Sequence, residues 1–275
     1  MLGAERRSQI MSEVRRNGAA SVVDLATALG VSEMTVRRDI EQLATEGLVD
    51  RVRGGATTPR LPDRVELGFP NQARRLLAEK RAIARRAAIL VEPGMSVGLS
   101  GGTTTWALAQ ELRAIPELTI VTNSLPVADV FARPDRADEP YTQTVVLTGG
   151  VRTPSDALVG PVAVRAIESL HCDVVFLGVR GIDLQAGLTT SNLLEAETNR
   201  AFVGAGRRSV VLADHSKWGA VGLTTIVDLR EVDHLVMDDD VAEDVETTLR
   251  AQFGEVWLAP VASASASADD DRIDA

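Results

Sequence analysis

The chain has 275 residues, of which 45% are hydrophobic, 25% are charged and only 3% are aromatic. No apolar run approaches the roughly 20 residues that a membrane-spanning helix needs, and the charged first eighteen residues predict no signal peptide. The single cysteine, Cys172, excludes an internal disulfide and a cysteine-based zinc site, so we expect it to be a packing residue. These features are typical of a cytoplasmic globular protein with no metal, no cofactor and no contact with a membrane.

The formal net charge of -10 is unevenly distributed along the chain. Residues 1–60 hold nine basic and eight acidic side chains, a net charge of +1, whereas the remaining residues hold 20 and 31, a net charge of -11. A polyanionic partner would therefore meet the N-terminal segment. Because the basic excess is small, the direction in which individual arginines point decides whether such a partner exists.

Three helices are predicted within the first 57 residues. The first covers residues 5–16, and the second follows Ser21, which with Asp24 has the spacing of a capping box. Ser32 is the N-cap of the third helix. The last two helices are separated by three or four residues that include a glycine, which is the spacing of a helix-turn-helix.

The third helix, predicted to run to about Glu46, has one apolar face and one face that carries arginines. Three side chains at helical spacing fix the buried stripe: Val36, Ile40 and Leu43. At about 100° per residue, four side chains lie opposite that stripe or on its flanks: Met34, Thr35, Arg37 and Arg38. Arginine can bond guanine with two donors, threonine can bond phosphate or touch a thymine methyl, and a helix N-terminus favours phosphate. We therefore predict a recognition helix that contacts DNA from Ser32 onward.

Residues 47–56 have the pattern of a wing, with a short strand, a turn and a glycine pair. Arg51 and Arg53 alternate with Val49 and Val52 and are predicted to reach the flanking DNA backbone. The alternative is that the arginines of the third helix are merely the solvated face of a helical mini-domain. The helix spacing, the wing and the order of the elements together favour DNA contact.

The stretches "VSEMTVRRDIEQLATEGL" and "RVRGGA" are close to a known signature along their whole length. With the preceding helices they resemble the winged helix-turn-helix of the DeoR family of bacterial repressors. The resemblance implies that Thr35, Arg37 and Arg38 are the DNA-contacting positions.

The rest of the chain is predicted to be a linker, a larger domain and a tail. Residues 58–72, with three prolines, would join the DNA-binding domain of residues 1–57 to a domain over residues 73–260. That domain starts with a long helix to about Val91, after which short apolar strands alternate with amphipathic helices. The pattern predicts an α/β fold with a parallel sheet covered on both faces. Residues 261–275 are small and acidic, so we expect them to be disordered.

Polar residues follow the predicted strand ends, which is where ligands bind in such a sheet. After the first strand comes a loop whose backbone amides, at the start of a helix, would point at an anion: Gly101, Gly102, Thr103, Thr104 and Thr105. This loop is neither a Walker A sequence nor a dinucleotide motif, and such a loop can also be a plain turn. Later strand ends and loops add Thr122, Asn123, Ser124, Gly149, Gly150, Arg152, Asp183, Glu195 and Lys217. These donors and cations suit a phosphorylated polyol or sugar.

The same segments, including "GGTTT", "LTGG" and "LADHSKWG", resemble the sensor domain of DeoR-family regulators, which is similar in fold to ribose-5-phosphate isomerase. The resemblance covers about residues 4–258. It implies a homo-oligomeric repressor, a dimer or a tetramer, of carbohydrate-metabolism genes. Its partners would be double-stranded operator DNA and a phosphorylated sugar effector that releases the DNA. Many members have an Asp-Ser pair where this chain has Ser100-Gly101, so the resemblance does not identify the sugar.

An isomerase-like enzyme with an appended DNA-binding domain is the alternative function. Isomerisation needs a base beside the carbon next to a carbonyl, and a cation that polarises the oxygen. Asp183, Glu195 or Asp214 with Lys217 could supply these groups, but Asp214 and Lys217 equally suit a salt-bridged binding site. A DNA-binding oligomer without any ligand fits poorly with so many polar strand ends. We therefore expect a non-enzymatic regulator.

Overall fold

The computed structural model describes residues 3–17, 19–45, 48–52, 54–57, 69–132 and 143–261. The chain divides into two compact units, residues 1–65 and residues 66–275. Residues 58–68 of the predicted linker lie outside the described residues, as does the predicted tail from residue 262 onward. No helix in the described part of the chain is long and apolar enough to cross a membrane.

Three helices and a three-stranded sheet form the first unit. Their bounds are α1 Gly3–Asn17, β1 Ala19–Ser21, α2 Val22–Leu29, α3 Glu33–Thr45, β2 Asp50–Val52 and β3 Gly55–Thr57. β3 lies between the other two strands and pairs antiparallel with both. The predicted wing is the hairpin β2–β3. The short strand β1 was not predicted, because three residues are too few to show a period.

One apolar cluster holds the first unit together, and it includes the stripe predicted on α3: Val36, Ile40 and Leu43, each at most 2% exposed. The Ser21 hydroxyl accepts a hydrogen bond from the Asp24 amide at 3.1 Å, which confirms the N-cap of α2. Asp39 is also buried, and Arg6 Nη2 donates to its Oδ1 at 3.1 Å. This pairing offsets the desolvation of a carboxylate inside the cluster, and it was not predicted.

Helices and strands alternate along the second unit, as predicted. The helices are α4 Phe69–Ala73, α5 Leu77–Ala88, α6 Thr103–Leu112, α7 Leu125–Phe131, α8 Pro161–Glu168, α9 Leu193–Ala205 and α10 Glu243–Gln252. The strands are β4 Ser96–Leu99, β5 Thr119–Thr122, β6 Thr144–Leu147, β7 Val151–Arg152, β8 Leu158–Val159, β9 Val174–Gly178, β10 Gly181–Asp183, β11 Gly187–Thr190, β12 Ser209–Ala213, β13 Thr224–Val227, β14 His234–Asp238 and β15 Glu255–Ala259. Two 3-10 helices cover His215–Lys217 and Leu229–Glu231.

Seven of these strands form one parallel sheet in the order β15-β14-β12-β9-β4-β5-β6. The chain enters at β4, moves outward to β6 and then crosses back to β9 on the other side of β4. The strand order therefore reverses between β4 and β9, and it is at such a point that a crevice opens beyond the carboxyl ends of the strands. The predicted α/β fold with a parallel sheet is confirmed.

Both faces of the sheet are buried, because alternate residues of a strand point to opposite faces. In β9, Val174 and Phe176 belong to a cluster with residues of α5, α6 and α7. Val175 and Leu177 belong to another cluster with residues of α8, α9 and α10. Cys172 is buried in this second cluster, as expected for a packing residue, and burial raises the pKa of its thiol to about 11.

The long helix predicted to open this domain, from about Ala73 to Val91, corresponds to α5, whereas α4 lies almost wholly within the predicted linker and was not predicted. α4 ends at Ala73 and α5 begins at Leu77, because Leu76 between them adopts a left-handed conformation with a φ of 48°. A residue in that conformation cannot continue a right-handed helix. The antiparallel sheet β10-β11-β13 and the hairpin β7–β8 were not predicted either, since their strands have two to four residues.

Candidate functional site

The outward face of α3 carries the side chains that were predicted to contact DNA. Met34 is 74% exposed, Arg37 and Arg38 are exposed, and Thr35 is half-buried. The Thr35 amide donates to the Ser32 hydroxyl at 3.2 Å, which confirms the cap, and the two hydroxyl oxygens lie 2.9 Å apart. Two hydroxyls are thus joined at a helix N-terminus, where a phosphate is favoured.

A groove of about 360 Å³ lies between α3 and the wing, and it is lined on one side by Arg37 and on the other by Arg51. Arg37 donates to Glu33 at 3.1 Å and Arg51 donates to Glu41 at 3.3 Å. All four side chains are more than half exposed. Such exposed pairs contribute only about 0–1 kcal/mol, so both guanidinium groups stay available to a more highly charged anion.

The two glycines of the wing have different structural roles. Gly54 forms the turn with a φ of 89°, whereas a Cβ on Gly55 would lie 2.2 Å from the Ala20 carbonyl oxygen of β1. Val49 is buried, but Val52 is 44% exposed near the tip of the wing. Val52 therefore lies on the exposed part of the wing together with Arg51. Arg53 lies outside the described residues.

In the second unit, the strand order reverses between β4 and β9, and the backbones of the loops that follow these two strands lie close together. The Gly178 amide donates to the Ser100 hydroxyl at 3.1 Å. A Cβ on Gly178 would lie 3.4 Å from the Gly101 carbonyl oxygen, and Gly102 has a φ of 155°. A Cβ on Gly101 would lie 2.8 Å from the Cβ of Ala157, in the hairpin region. The glycines thus allow a close approach of backbone to backbone at this edge.

The three threonines at the start of α6 have different environments. The Thr105 hydroxyl is buried and donates to the carbonyl oxygens of Ser100 and Gly102 at 2.8 Å and 2.9 Å. Thr104 is buried as well, and only Thr103, the first residue of the helix, is half-buried. The Thr105 hydroxyl therefore stabilises the loop, and Thr103 is the threonine whose side chain is most accessible to a ligand.

The polar side chains after β5 hold neighbouring loops together. The Gly101 amide donates to Asn123 Oδ1 at 2.8 Å, and Asn123 Nδ2 donates to the Leu158 carbonyl oxygen at 2.9 Å. The Thr122 hydroxyl donates to the last carbonyl oxygen of β4 at 2.7 Å, and the Ser124 hydroxyl caps α7. All three side chains are at most 1% exposed. They fix the position of the loop after β4 whether or not they also touch a ligand.

Other predicted residues lie on hairpins or between elements. Gly149 and Gly150 have positive φ values, and a Cβ on Gly150 would lie 2.6 Å from the Val159 carbonyl oxygen of β8. Arg152 is exposed on β7, where its Nε donates to Asp156 Oδ1 at 2.7 Å. Arg152, the cation predicted at this strand end, therefore forms an ion pair with Asp156.

Asp183 and Glu195 both use their carboxylates within the fold. Asp183 is in β10, beyond the end of β9 to which it was assigned, and it accepts two backbone amides of the β10–β11 turn at 2.8 Å. These amides lower its pKa. Glu195, in the first turn of α9, accepts hydrogen bonds from the hydroxyls of Ser155 at 2.9 Å and Thr190 at 2.8 Å.

A cluster of buried charges lies just after β12. Asp214 is 1% exposed, and Lys217 Nζ lies 4.0 Å from its Oδ2. Lys80 of α5 is 4% exposed and donates to the Gln72 carbonyl oxygen at 2.7 Å. Burial lowers the pKa of Lys80 to about 8, an effect that Asp214 opposes and Lys217 reinforces.

The charge of this cluster is net positive. Burial opposes the ionisation of Asp214, yet Lys217, the Ser216 hydroxyl and Lys80 together hold the pKa of Asp214 below its ordinary value. Asp214 thus forms an ion pair with Lys217 and interacts with Lys80 at longer range, in a unit that is otherwise strongly acidic. An anionic group at this edge would complete the pairing.

Next to the cluster, His215 is bound to a buried carboxylate. Its Nδ1 lies 2.6 Å from Asp238 Oδ2, and its backbone amide donates to Asp238 Oδ1 at 2.7 Å. Burial alone would lower the pKa of His215, but the bond to Asp238 outweighs it and raises that pKa above 6.5. No group of three or more metal-ligating side chains suited to an ion occurs in the described part of the chain.

The structure brings the loop after β4 and Lys217 to the same edge of the sheet, with β9 as the only strand between β4 and β12. Arg152 and Asp183 lie on hairpins instead. Ser100 and Gly178 were recognised as strand ends but were not included in the predicted site, and Lys80 was missed. Lys80 could have been found, because it is in phase with the apolar face of α5.

Comparisons with known proteins cover both units. Residues 6–60 match the family model described as the DeoR-like helix-turn-helix domain, and residues 76–239 match the DeoR C terminal sensor domain. The chain is 33% identical over 261 residues to the "Putative aga operon transcriptional repressor" of Escherichia coli O157:H7, with 93% of each chain covered. It is 32% identical over 243 residues to the "Lactose phosphotransferase system repressor" of Staphylococcus aureus (strain N315), covering 88% of this chain and 95% of the relative.

Among solved structures, ribose 5-phosphate isomerase A from Methanocaldococcus jannaschii matches with 18% identity and a TM-score of 0.36. The match covers 50% of this chain and 53% of the isomerase. A likeness this slight has no bearing on function.

The close approach of Gly101 to Ala157 predicts that the loss of stability caused by a larger side chain at residue 101 is partly recovered by a smaller one at residue 157. Gly101→Ala should lower the free energy of unfolding by about 1–3 kcal/mol, since the added methyl group overpacks the Ala157 side chain. Ala157→Gly in the same chain should recover part of that loss, and the double-mutant cycle, measured by urea unfolding, should give a favourable coupling. Strictly additive losses would contradict the predicted overlap.

The pair of His215 with Asp238 predicts a pH dependence of stability. Because folding raises the pKa of His215, its contribution is fully present below the unfolded pKa of about 6.5 and is lost as pH rises through the folded value. The stability difference between the parent and His215→Asn, from urea midpoints across that range, should therefore shrink with rising pH. A difference that grew with pH would show that His215 is held neutral.

Proposed function

Because the chain belongs to the DeoR family of transcriptional regulators, we propose that it represses carbohydrate-metabolism genes under the control of a phosphorylated sugar. The first unit binds double-stranded operator DNA and the second binds the sugar phosphate. The chain acts as a homo-oligomer, so that two recognition helices meet two half-sites of one operator.

The observation that carries the DNA-binding part is the face of α3 opposite its buried stripe. Met34, Arg37 and Arg38 project from it, and the Ser32 and Thr35 hydroxyls stand at its N-terminus. Base edges in the major groove are read by side chains in the first turns of a recognition helix. Arg51 of the wing contacts the phosphate backbone, and this contact positions the protein without reading sequence.

The sensor part is supported by the net positive cluster at the carboxyl edge of the sheet. Residues 61–275 carry a net charge of -11, so an anion must find local donors against an unfavourable field. Lys80, Lys217 and the amides at the start of α6 provide such donors. The name of one relative refers to a lactose phosphotransferase system, which is consistent with a sugar phosphate as ligand.

Family membership supports a regulator over an isomerase-like enzyme, since the relatives are named as transcriptional repressors and regulators. The environments of two candidate bases, Asp183 and Glu195, also favour a regulator over an enzyme. Asp183 caps a turn and Glu195 accepts two hydroxyl hydrogens, so neither carboxylate is held ready to take a proton. The full-length chain should therefore not turn over ribose 5-phosphate.

DNA recognition is tested with duplexes selected by the parent protein from a random pool. Arg38→Ala should lower affinity for the selected duplex by about 1–3 kcal/mol, because it removes a base contact. Arg51→Ala should weaken binding to all sequences alike and flatten the salt dependence. Arg165→Ala, which removes an exposed arginine of α8, is the control and should bind as the parent does. Parent-like affinity of Arg38→Ala at physiological salt would rule out the recognition helix.

The effector is tested by thermal-shift screening against a panel of sugar phosphates. A ligand at 100 times its dissociation constant should stabilise the parent by about 2.7 kcal/mol. Thr103→Val and Lys217→Gln should lose this shift, each measured against its own unliganded midpoint, whereas Arg165→Ala should keep it. An undiminished shift in Lys217→Gln would mean that this lysine serves only to pair Asp214.

A further inference from the structure

We propose that Met34 reads the C5 methyl group of a thymine in the operator, within about two base pairs of a guanine that Arg38 reads. The inference rests on the proposed function, because it requires that α3 lies in the major groove of DNA. It names the feature of a base that the apolar side chain at the start of this helix recognises.

Met34 is the most exposed of the large apolar side chains in the described part of the chain, at 74%. It is the second residue of α3 and lies nearly opposite the buried stripe, outside the apolar cluster of the first unit. Leaving an apolar side chain in water forgoes the free energy that its burial would release. Contact with an apolar group of a partner would recover that free energy.

Met34 and Arg38 form one row on the outward face of α3. Four residues separate them, so they are about 40° apart around the helix axis and about 6 Å apart along it. Arg37, on the flank of the helix, instead lines the groove toward the wing and donates to Glu33. Met34 and Arg38 are therefore the side chains that point most directly at base edges. Since one helical turn of DNA holds about ten base pairs in about 34 Å, 6 Å corresponds to about two base pairs.

The chemistry of a thioether leaves one base feature that Met34 can recognise. The base edges in the major groove present hydrogen-bond acceptors, amino donors and the thymine methyl group. Methionine has no donor for the acceptors, and its sulfur is only a weak acceptor for the amino groups. A contact with the thymine methyl group buries apolar surface on both sides. The unbranched side chain of methionine adapts its shape to such a contact.

Thr35 is the competing reader of a thymine, because its side chain also carries a methyl group. It is half-buried, however, and its hydroxyl oxygen lies 2.9 Å from that of Ser32 at the helix N-terminus. This contact keeps the Thr35 side chain at the cap, whereas Met34 extends into solvent. The exposed thioether is therefore better placed to reach a base.

The test uses the full-length chain and the duplex selected by the parent protein. Each thymine is replaced in turn by deoxyuridine, which lacks only the C5 methyl group. At one position this replacement should weaken binding by the parent on the order of fourfold, the effect of one buried methyl group. The same replacement should have little effect on binding by Met34→Ala, so the two changes are not additive. Met34→Leu, which keeps an apolar side chain, should retain most of the effect.

Two further measurements complete the design. Val23→Ala truncates another exposed apolar side chain, that of α2 at 58%, and should lose as much affinity on deoxyuridine as the parent does. Replacing each guanine by 7-deazaguanine, which lacks the N7 acceptor, locates the base that Arg38 reads, because this effect should vanish in Arg38→Ala. The guanine found in this way should lie within about two base pairs of the thymine.

The outcomes separate the role of Met34 from DNA binding itself. An equal loss on deoxyuridine in the parent and in Met34→Ala would overturn the assignment of Met34 alone. The same holds if the loss vanishes in Thr35→Ser instead, or if the parent binds every deoxyuridine duplex as well as the thymine duplex. A guanine read by Arg38 at a greater distance would overturn the common row. If the parent selects no duplex at all, the proposed function is overturned as well.

Discussion

The reversal of strand order between β4 and β9 is the constraint on which the sensor unit depends. Parallel strands buried on both faces leave only their ends free for polar chemistry, so every functional loop must lie at one edge. At the reversal, the loops after β4 and β9 diverge onto opposite faces of the sheet, and glycines 101, 102 and 178 let their backbones approach each other. Ser100 and Asn123 then lock the loop geometry through the Gly178 and Gly101 amides.

The second unit places charge inside this edge instead of on its surface. Lys80, Asp214 and Lys217 interact in a region where water screens little, and His215 is bound to the fully buried Asp238 beside them. Charges buried in this way are expensive unless they are paired. We therefore propose this site, which is short of one negative charge, as the place where an anion binds.

The first unit keeps its candidate DNA-binding surface exposed, although it has few residues with which to form a core. Its core is a single small cluster, supplemented by the ion pair of the half-buried Arg6 with the buried Asp39, and this leaves one face of α3 and the tip of the wing exposed to solvent. Glu33 and Glu41 hold Arg37 and Arg51 in weak, exposed pairs. Nucleic-acid phosphates can displace such pairs, because several adjacent phosphates concentrate more charge than one carboxylate.

Local patterns determined much of this protein. The stripe of Val36, Ile40 and Leu43, the caps at Ser21 and Ser32, and the alternation of apolar strands with helices are all visible in the sequence, because each depends on neighbours within a few residues. The break at Leu76, the hairpin position of Asp183 and the hydrogen bond of Lys80 to the Gln72 carbonyl oxygen were decided only by tertiary structure. The conformation and contacts of these residues depend on burial and on partners from distant segments of the chain. The spacing of neighbouring residues in the sequence carries no information about such partners.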